Sequence, residues 1–158
     1  MTKLRSIAFI AFSLLAAVAA PAWAQTLPTL TVTSPSGSVT YDRDEREAMG
    51  LVSIKTSTPW NEGVVDFEGV PLSVILDKAG AEGTMATVIA LNDYSVDIPV
   101  SDFADFNVIL AVKRDGDYMP VDDQGPYFVM YPFDANPVLQ KQPYYGRAVW
   151  QVKAVSVE

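Results

Sequence analysis

Several segments of the chain alternate between hydrophobic and polar residues, and others are continuous apolar runs. Alternation with a period of two is typical of a half-buried β-strand, whereas a short apolar run rich in β-branched residues is typical of a fully buried one. Residues 30–33 and 94–99 alternate, and residues 84–91 and 108–112 form apolar runs. By the same criteria, further strands are expected at residues 51–55, 64–67, 118–121, 127–131 and 148–157.

The clearest helical pattern covers residues 71–80. Apolar residues recur at three- and four-residue spacing from Leu72 to Ala79, with proline at the start and Gly80 just past the end. Asp42 and Glu45 have the spacing of a capping box, which predicts a short helix that ends before residue 50. Ser101 is expected to cap a single helical turn.

Turn residues separate these segments. Residues 34–37 and 92–93 are expected to be turns, and residues 56–63 lack any period and are interpreted as a loop. Asp115-Gly116-Asp117 predicts a tight hairpin, because the spaced oxygen ligands of an EF-hand calcium loop are missing. Many strands with two or three short helices indicate an α+β domain, dominated by mixed or antiparallel sheet.

The first 24 residues have the pattern of a secretory signal peptide. Lys3 and Arg5 precede an apolar run at residues 7–20, and Ala22-Trp23-Ala24 fits the small-x-small cleavage rule. The alternative is a membrane anchor, but the run is shorter than the roughly 20 residues that a spanning helix needs. We therefore expect cleavage after Ala24, a single domain at residues 25–158, a periplasmic or secreted location and no membrane insertion.

Composition excludes several chemistries. The chain has no cysteine and no histidine, which rules out Ser-His-Asp and Cys-His catalysis, thiol redox chemistry, disulfides and the common zinc sites. Its formal net charge of −8 opposes binding to phosphate backbones, so nucleic acid is not an expected partner.

Several segments resemble a known family in their order and spacing. Glu68-Gly69-Val70-Pro71-Leu72 followed by a helix that ends at Ala79-Gly80 resembles the Gly-Val-Pro-Leu helix of the sulfite-oxidase-like, molybdopterin-binding oxidoreductases. The Asn92-Asp93-Tyr94 turn, the hairpin at residues 115–117, the Gln124-Gly125-Pro126 segment and the closing strand from Arg147 are similar to later motifs of that family. The resemblance covers residues 64–157 and implies the sulfite-oxidase fold.

The resemblance also implies a cofactor. Members of the family hold molybdenum through a pterin dithiolene and one cysteine, whose loop lies shortly before the Gly-Val-Pro-Leu helix. The corresponding window here is residues 56–60, which contains no thiol. We therefore expect no bound cofactor and no metal, and only the resemblance implies molybdopterin. Ser57 is the alternative ligand, because serine ligates molybdenum in other enzyme families.

The positions that the resemblance brings to the cofactor pocket define a candidate ligand site. Trp60 lies in a polar segment where a core role is not obvious, and Arg147 is a rare cation that would either orient an anionic ligand or pair with Asp93 or Asp122. The full candidate set is Ser57, Trp60, Asn92, Asp93, Tyr94, Gln124, Gly125 and Arg147.

Three functions follow from these observations. The first is a non-catalytic, exported ligand-binding or accessory module on the family scaffold. The second is a molybdopterin-dependent oxidoreductase with a non-cysteine ligand such as Ser57. The third is an interaction protein whose aromatic residues bind a periplasmic or membrane protein, for example a membrane-bound sensor.

Overall fold

The computed structural model describes residues 28–158, and the predicted signal peptide lies outside this range. The strands are β1 (Leu30–Ser34), β2 (Gly37–Tyr41), β3 (Val52–Thr58), β4 (Asn61–Pro71), β5 (Met85–Ala90), β6 (Ser95–Pro99), β7 (Ile109–Arg114), β8 (Asp117–Tyr118), β9 (Phe128–Met130) and β10 (Val152–Val157). The helices are α1 (Arg43–Glu47), α2 (Leu72–Ala79), α3 (Val100–Asp105) and α4 (Gln142–Arg147), with 3-10 turns at Phe133–Ala135 and Pro137–Leu139. Within residues 28–158, none of the helices is long and apolar enough to cross a membrane.

The strands form two sheets. The first has the order β2-β1-β10-β5-β6, and its β1–β10 pair is parallel while its other pairs are antiparallel. The second has the order β3-β4-β7-β8, and β9 pairs with the same edge of β7 as β8 does. Mixed and antiparallel sheets with a few short helices confirm the predicted α+β class.

One hydrophobic core joins the two sheets. It contains inward residues of the first sheet, such as Leu30 and Val155, together with Phe67, Leu110 and Phe128 of the second. The bridge between Phe128 and Trp150 lies where β9 meets the segment that leads into β10. A pocket of about 770 Å³ lies beside this junction.

Local sequence signals account for the helix boundaries. Asp42 accepts a hydrogen bond from the Glu45 backbone N–H at 2.8 Å, and the Glu45 carboxylate accepts one from the Asp42 N–H at 3.0 Å. This is the predicted capping box. Gly80 ends α2 with φ of 62°, a left-handed conformation that glycine adopts without steric cost.

Three predictions of local structure were wrong, and two elements were missed. Residues 118–121 are not a strand, because β8 ends at Tyr118. Residues 56–63 are not a loop, because β3 and β4 continue through them and leave a two-residue turn at Pro59 and Trp60. The residue that precedes α3 is Pro99, not Ser101, and it makes no side-chain cap. Strand β2 and helix α4 were not predicted, since β2 is a mostly exposed edge strand and α4 lacks an apolar face.

Candidate functional site

The larger pocket has a volume of about 770 Å³ and lies beside the junction of the two sheets. It is formed by the β3–β4 turn, the β5–β6 turn, helix α4 and the segment before β10. Its lining is mostly aromatic and amide in character: Trp60, Tyr94, Tyr145, Trp150, Asn92, Gln140, Gln142 and Gln151. Lys141 is the charged residue of the lining.

The β3–β4 turn places Trp60 in the pocket. The Thr58 hydroxyl accepts hydrogen bonds from the backbone N–H groups of Trp60 at 3.3 Å and Asn61 at 3.1 Å, and it donates to the Asn61 side-chain oxygen at 3.0 Å. This network fixes a tight turn, so that the indole packs back onto the core. The wall is therefore held by the backbone and not by a flexible loop.

Aromatic rings surround Trp60 edge to face. Its ring lies 5.7 Å from the Trp150 ring with an interplanar angle of 79°, and 6.1 Å from the Tyr145 ring with an angle of 86°. Trp150 is 40% exposed and Tyr94 is 56% exposed, which is high for such large side chains. Exposed aromatic groups beside a concave surface are typical of sites that bind small molecules or proteins.

The β5–β6 turn contains three predicted site residues, Asn92, Asp93 and Tyr94, of which the first and third line the pocket and the second does not. The Asn92 side-chain oxygen accepts a hydrogen bond from the Tyr94 backbone N–H at 3.1 Å, and both side chains line the pocket. Asp93 has φ of 65° and its carboxylate is 2.5 Å from the Lys153 ammonium, outside the lining. The hydrogen bond and the charge of Lys153 lower the pKa of Asp93.

Arg147 does not line the pocket but holds the helix that does. Its guanidinium donates to the Asp102 carboxylate at 2.6 Å, and the same oxygen accepts from the buried Tyr131 hydroxyl at 2.8 Å. The predicted pairing with Asp93 or Asp122 is therefore replaced by a pairing with Asp102. Burial first, and the neighbouring Asp102 second, raise the pKa of Tyr131. This network anchors the end of α4 to α3.

Ser57 lies next to the pocket wall but outside its lining. Its hydroxyl and its backbone N–H each donate to the Asp134 carboxylate at 2.6 Å. The buried Thr56 hydroxyl accepts from the Asp134 N–H at 3.1 Å. Both polar hydrogens of Ser57 are thus used to fix the 3-10 turn at Phe133–Ala135 against β3.

Gln124 and Gly125 support the pocket from behind. The Gln124 carbonyl accepts a hydrogen bond from the N–H of Gln151, a lining residue, at 3.2 Å, and the Gln124 side chain accepts from Arg114 at 3.1 Å. A side chain at Gly125 would clash with the Met119 carbonyl, so only glycine allows this close approach. The structure thus places three of the predicted site residues in the pocket: Trp60, Asn92 and Tyr94.

Most of the lining was not predicted from the sequence: Ala90, residues 140–142, Tyr145, Gly146 and residues 148–151. The usable signal was proline near a helix start: Asn136-Pro137 opens one 3-10 turn, and α4 has a proline in its first turn. That pattern predicts helical turns but not which of their residues face a pocket.

Comparison with known proteins identifies the class. The sequence profile of the family described as the oxidoreductase molybdopterin binding domain matches residues 24–133, which is more than half of the chain. The chain therefore belongs to this sulfite-oxidase-like, molybdopterin-binding family. No curated protein matches the sequence.

A solved structure supports the same fold. The chain is similar to the sulfane dehydrogenase SoxCD from Paracoccus pantotrophus, with a TM-score of 0.62 and 16% sequence identity. The match covers 82% of this chain but only 38% of that one. At this identity the likeness shows the fold and does not carry over an activity.

The pocket does not fit the cofactor that the family implies. The resemblance implies a molybdenum centre held by a dithiolene and one protein cysteine, and the chain has no cysteine. Residues 28–158 contain no cluster of three histidine, cysteine, aspartate or glutamate side chains suited to a metal. At the position of the family's cysteine loop, the Ser57 hydroxyl is bonded to a carboxylate, whose charge would repel an anionic dithiolene.

Proposed function

We propose that the chain is an exported, non-catalytic member of the molybdopterin-binding family that binds a small organic molecule in the 770 Å³ pocket. The observation that carries this proposal is the contrast between the preserved scaffold and the lining. The scaffold is that of a molybdenum enzyme, whereas the lining offers aromatic rings and amides where a metal cofactor would need thiolate and cations.

The lining chemistry indicates the kind of ligand. The indoles of Trp60 and Trp150 offer apolar faces and edges to a flat body, while Asn92 and Gln151 offer amide donors and acceptors. Lys141 is the single cation of the lining, so the pocket suits a neutral molecule or one with a single negative charge. A pyrophosphate-bearing pterin would need several convergent cations.

The arginines of the described residues support this interpretation. Arg114 pairs with Asp123 at 2.5 Å and Arg147 with Asp102 at 2.6 Å, and neither side chain lines the pocket. Arg43 and Arg46 stack on tyrosine rings at a separate place. The arginines, which are the strongest anion-binding groups, therefore make their contacts outside this pocket.

Export is the second part of the proposal, and the first 24 residues support it. A basic start, an apolar run and a small-x-small end are the features of a cleaved signal, and cleavage after Ala24 would release residues 25–158 to the periplasm or beyond. The lack of cysteine means that an oxidising compartment would add no disulfide.

The test is native mass spectrometry with metal analysis of the protein recovered from the periplasm of a host that makes molybdenum cofactor. We expect residues 25–158 without molybdenum, either alone or with an organic ligand bound one to one. Molybdenum at one atom per chain would overturn the proposal. It would instead favour the oxidoreductase in which Ser57 is a ligand, and Ser57→Ala would then lose the metal.

Tryptophan fluorescence should change when a ligand enters the pocket, because both tryptophans of the cleaved chain line it. Cleavage would remove Trp23 and leave Trp60 and Trp150, which both line the pocket. Trp150→Ala should weaken retention of a co-purified ligand, whereas Val64→Ala, which shortens an exposed apolar side chain outside this pocket, should not. Equal retention by both variants would contradict the assignment.

The exposed rings also favour a second candidate, a protein partner. Tyr94 and Trp150 are both exposed at the rim, and such rings are enriched in protein interfaces. A periplasmic or membrane-bound partner that co-purifies with the wild type but not with Trp150→Ala would support this candidate. Co-purification that is unchanged in the variant would count against it.

A further inference from the structure

A second pocket, of about 450 Å³, lies between α1 and the β7–β8 hairpin. It is distinct from the pocket described above and shares no lining residue with it. Two arginines, two tyrosines and apolar residues form most of its walls: Arg43, Arg46, Tyr118, Tyr127, Val112 and Met119.

Arg46 is the unusual member of this pocket because its side chain is completely buried. One terminal nitrogen, Nη1, donates to the Asp42 carbonyl at 3.3 Å, and the guanidinium lies 4.0 Å from the centre of the Tyr127 ring. The other two nitrogens, Nε and Nη2, are buried and have no hydrogen-bond partner. Burial lowers the pKa of Arg46, but a guanidinium stays charged near neutral pH.

The neighbouring Glu47 acts on this charge only at a distance, because it makes no ion pair with Arg46. Among residues 28–158, the ion pairs that form do not include Arg46. The neighbouring Glu47 accepts a hydrogen bond from the Tyr118 hydroxyl at 3.0 Å through one oxygen, and its other oxygen is buried without a partner. A buried cation with two unused donors is costly unless an anion pairs with it.

We propose that this pocket binds a small-molecule carboxylate with an apolar body. The carboxylate accepts hydrogen bonds from Nε and Nη2 of Arg46, with the Arg43 guanidinium adding a second positive charge. The apolar body lies against Val112, Met119 and the tyrosine rings. This site lies outside the ligand pocket proposed above, and the evidence for it does not depend on that proposal.

The geometry favours a carboxylate over a phosphate. Nε and Nη2 form one edge of the planar guanidinium, and two parallel donors match the two oxygens of a carboxylate. Glu47 lies next to Arg46 in the chain, and its charge opposes a dianion more than a monoanion. The apolar walls add burial that inorganic phosphate cannot use.

The outer wall of the pocket is the part that has to move. The Tyr118 ring is exposed, belongs to a strand of two residues and stacks on the Arg43 guanidinium at 4.2 Å. The unpaired nitrogens of Arg46 are shielded from water, so a ligand reaches them when this ring and Arg43 swing outward. The movement would break the hydrogen bond from the Tyr118 hydroxyl to Glu47 and the contacts of the ring with Arg43 and Lys113, all of which lie at an exposed surface.

The test uses three probes on the exported protein: benzoate, the isosteric neutral benzamide, and inorganic phosphate. Calorimetry and thermal unfolding should show binding and a raised midpoint with benzoate, and no effect with benzamide, which has the same ring without the charge. Binding of phosphate but not benzoate, or equal binding of benzoate and benzamide, would overturn the proposal.

Variants locate the site. Arg46→Met and Arg43→Met should each weaken benzoate binding, by about tenfold or more for Arg46. Lys55→Met removes the same charge from an exposed side chain on β3 and should bind benzoate like the wild type. Benzoate affinity that is unchanged in Arg46→Met, or lost equally in Lys55→Met, would refute the site.

Glu47→Gln gives a readout that does not depend on the folding of the arginine variants. It removes the carboxylate that competes for the charge of Arg46, so benzoate affinity should rise several-fold. Unchanged or weaker affinity would show that Glu47 is not a competing anion and would contradict the proposed position of the ligand.

Discussion

The buried contact between Asp102 and Arg147 allows a quantitative prediction. In Asp102→Ala, the fully buried Tyr131 hydroxyl and the Arg147 guanidinium both lose their acceptor. Removing one partner of a buried ion pair costs about 3–5 kcal/mol. Because the Arg147 side chain remains 24% exposed, water compensates part of its loss, and we expect the lower end of the range, about 3 kcal/mol.

Urea unfolding followed by far-UV circular dichroism measures this loss. With a slope of about 2 kcal/mol per molar urea, the midpoint should fall by roughly 1.5 M. The matched control is Asp93→Asn, which keeps a residue suited to the left-handed backbone and breaks an ion pair with Lys153 in which the aspartate is 85% exposed. Solvent screening makes such surface pairs weak, so this midpoint should not change measurably.

A double-mutant cycle tests whether the loss comes from the pair itself. The double variant Arg147→Met/Asp102→Ala should lose less free energy of unfolding than the sum of the two single variants. Each single variant leaves one buried charge without its partner, whereas the double variant contains neither charge. Additive losses would refute the ion-pair explanation. Equal midpoint shifts for Asp102→Ala and Asp93→Asn would refute the argument from burial.

Three further predictions concern the scaffold. Burial raises the pKa of Tyr131 above its ordinary value of 10.0. The unfolded chain therefore loses this proton at lower pH than the folded protein, so stability should fall as pH rises above about 10. In urea midpoints measured from pH 9 to 11, Tyr131→Phe should reduce that fall. Asp42→Ala removes the cap of α1 and should cost about 1 kcal/mol, whereas Asp44→Ala, which keeps the capping box, should cost less. Gly69→Ala places a methyl group against the backbone of Leu110 and Ala111 on β7, and we expect a loss of several °C or more in thermal midpoint; an unchanged midpoint would refute this packing.

Local patterns predicted the parts of the fold that local forces determine. Helix α2 was predicted because its proline, its glycine and its apolar spacing all lie within ten residues of the sequence, and the capping box of α1 spans four. The β7–β8 hairpin was predicted in the same way, and Asp115 and Gly116 have the positive φ values of 50° and 88° that such turns need.

Long-range pairing determines the parts that the pattern missed. Strand β2 is mostly exposed and has no apolar face of its own, so its conformation depends on pairing with β1. Residues 56–63 lack a period because the β3–β4 ladder shifts register between Ser57 and Thr58.

Only part of the candidate site was predicted, because the rest depends on contacts between residues that are distant in the sequence. Trp60 and Tyr94 were predicted from aromatic residues in polar segments, and both line the pocket. Arg147 was selected for its charge and for its place in the family resemblance, and its partner Asp102 lies 45 residues away in sequence, on another helix. Which rare cation faces a pocket depends on such distant partners, and no local pattern contains that information.

The parallel pairing of β1 with β10 has a consequence for how the chain acquires its structure. Thr31 lies opposite Ala154, so the centre of the first sheet joins segments from opposite ends of the described chain. Contacts of such long sequence separation slow folding, and the sheet is incomplete until the ribosome has made its last strand. A late-closing sheet of this kind keeps the nascent polypeptide unfolded for longer, and the export proposed above would require an unfolded chain during translocation.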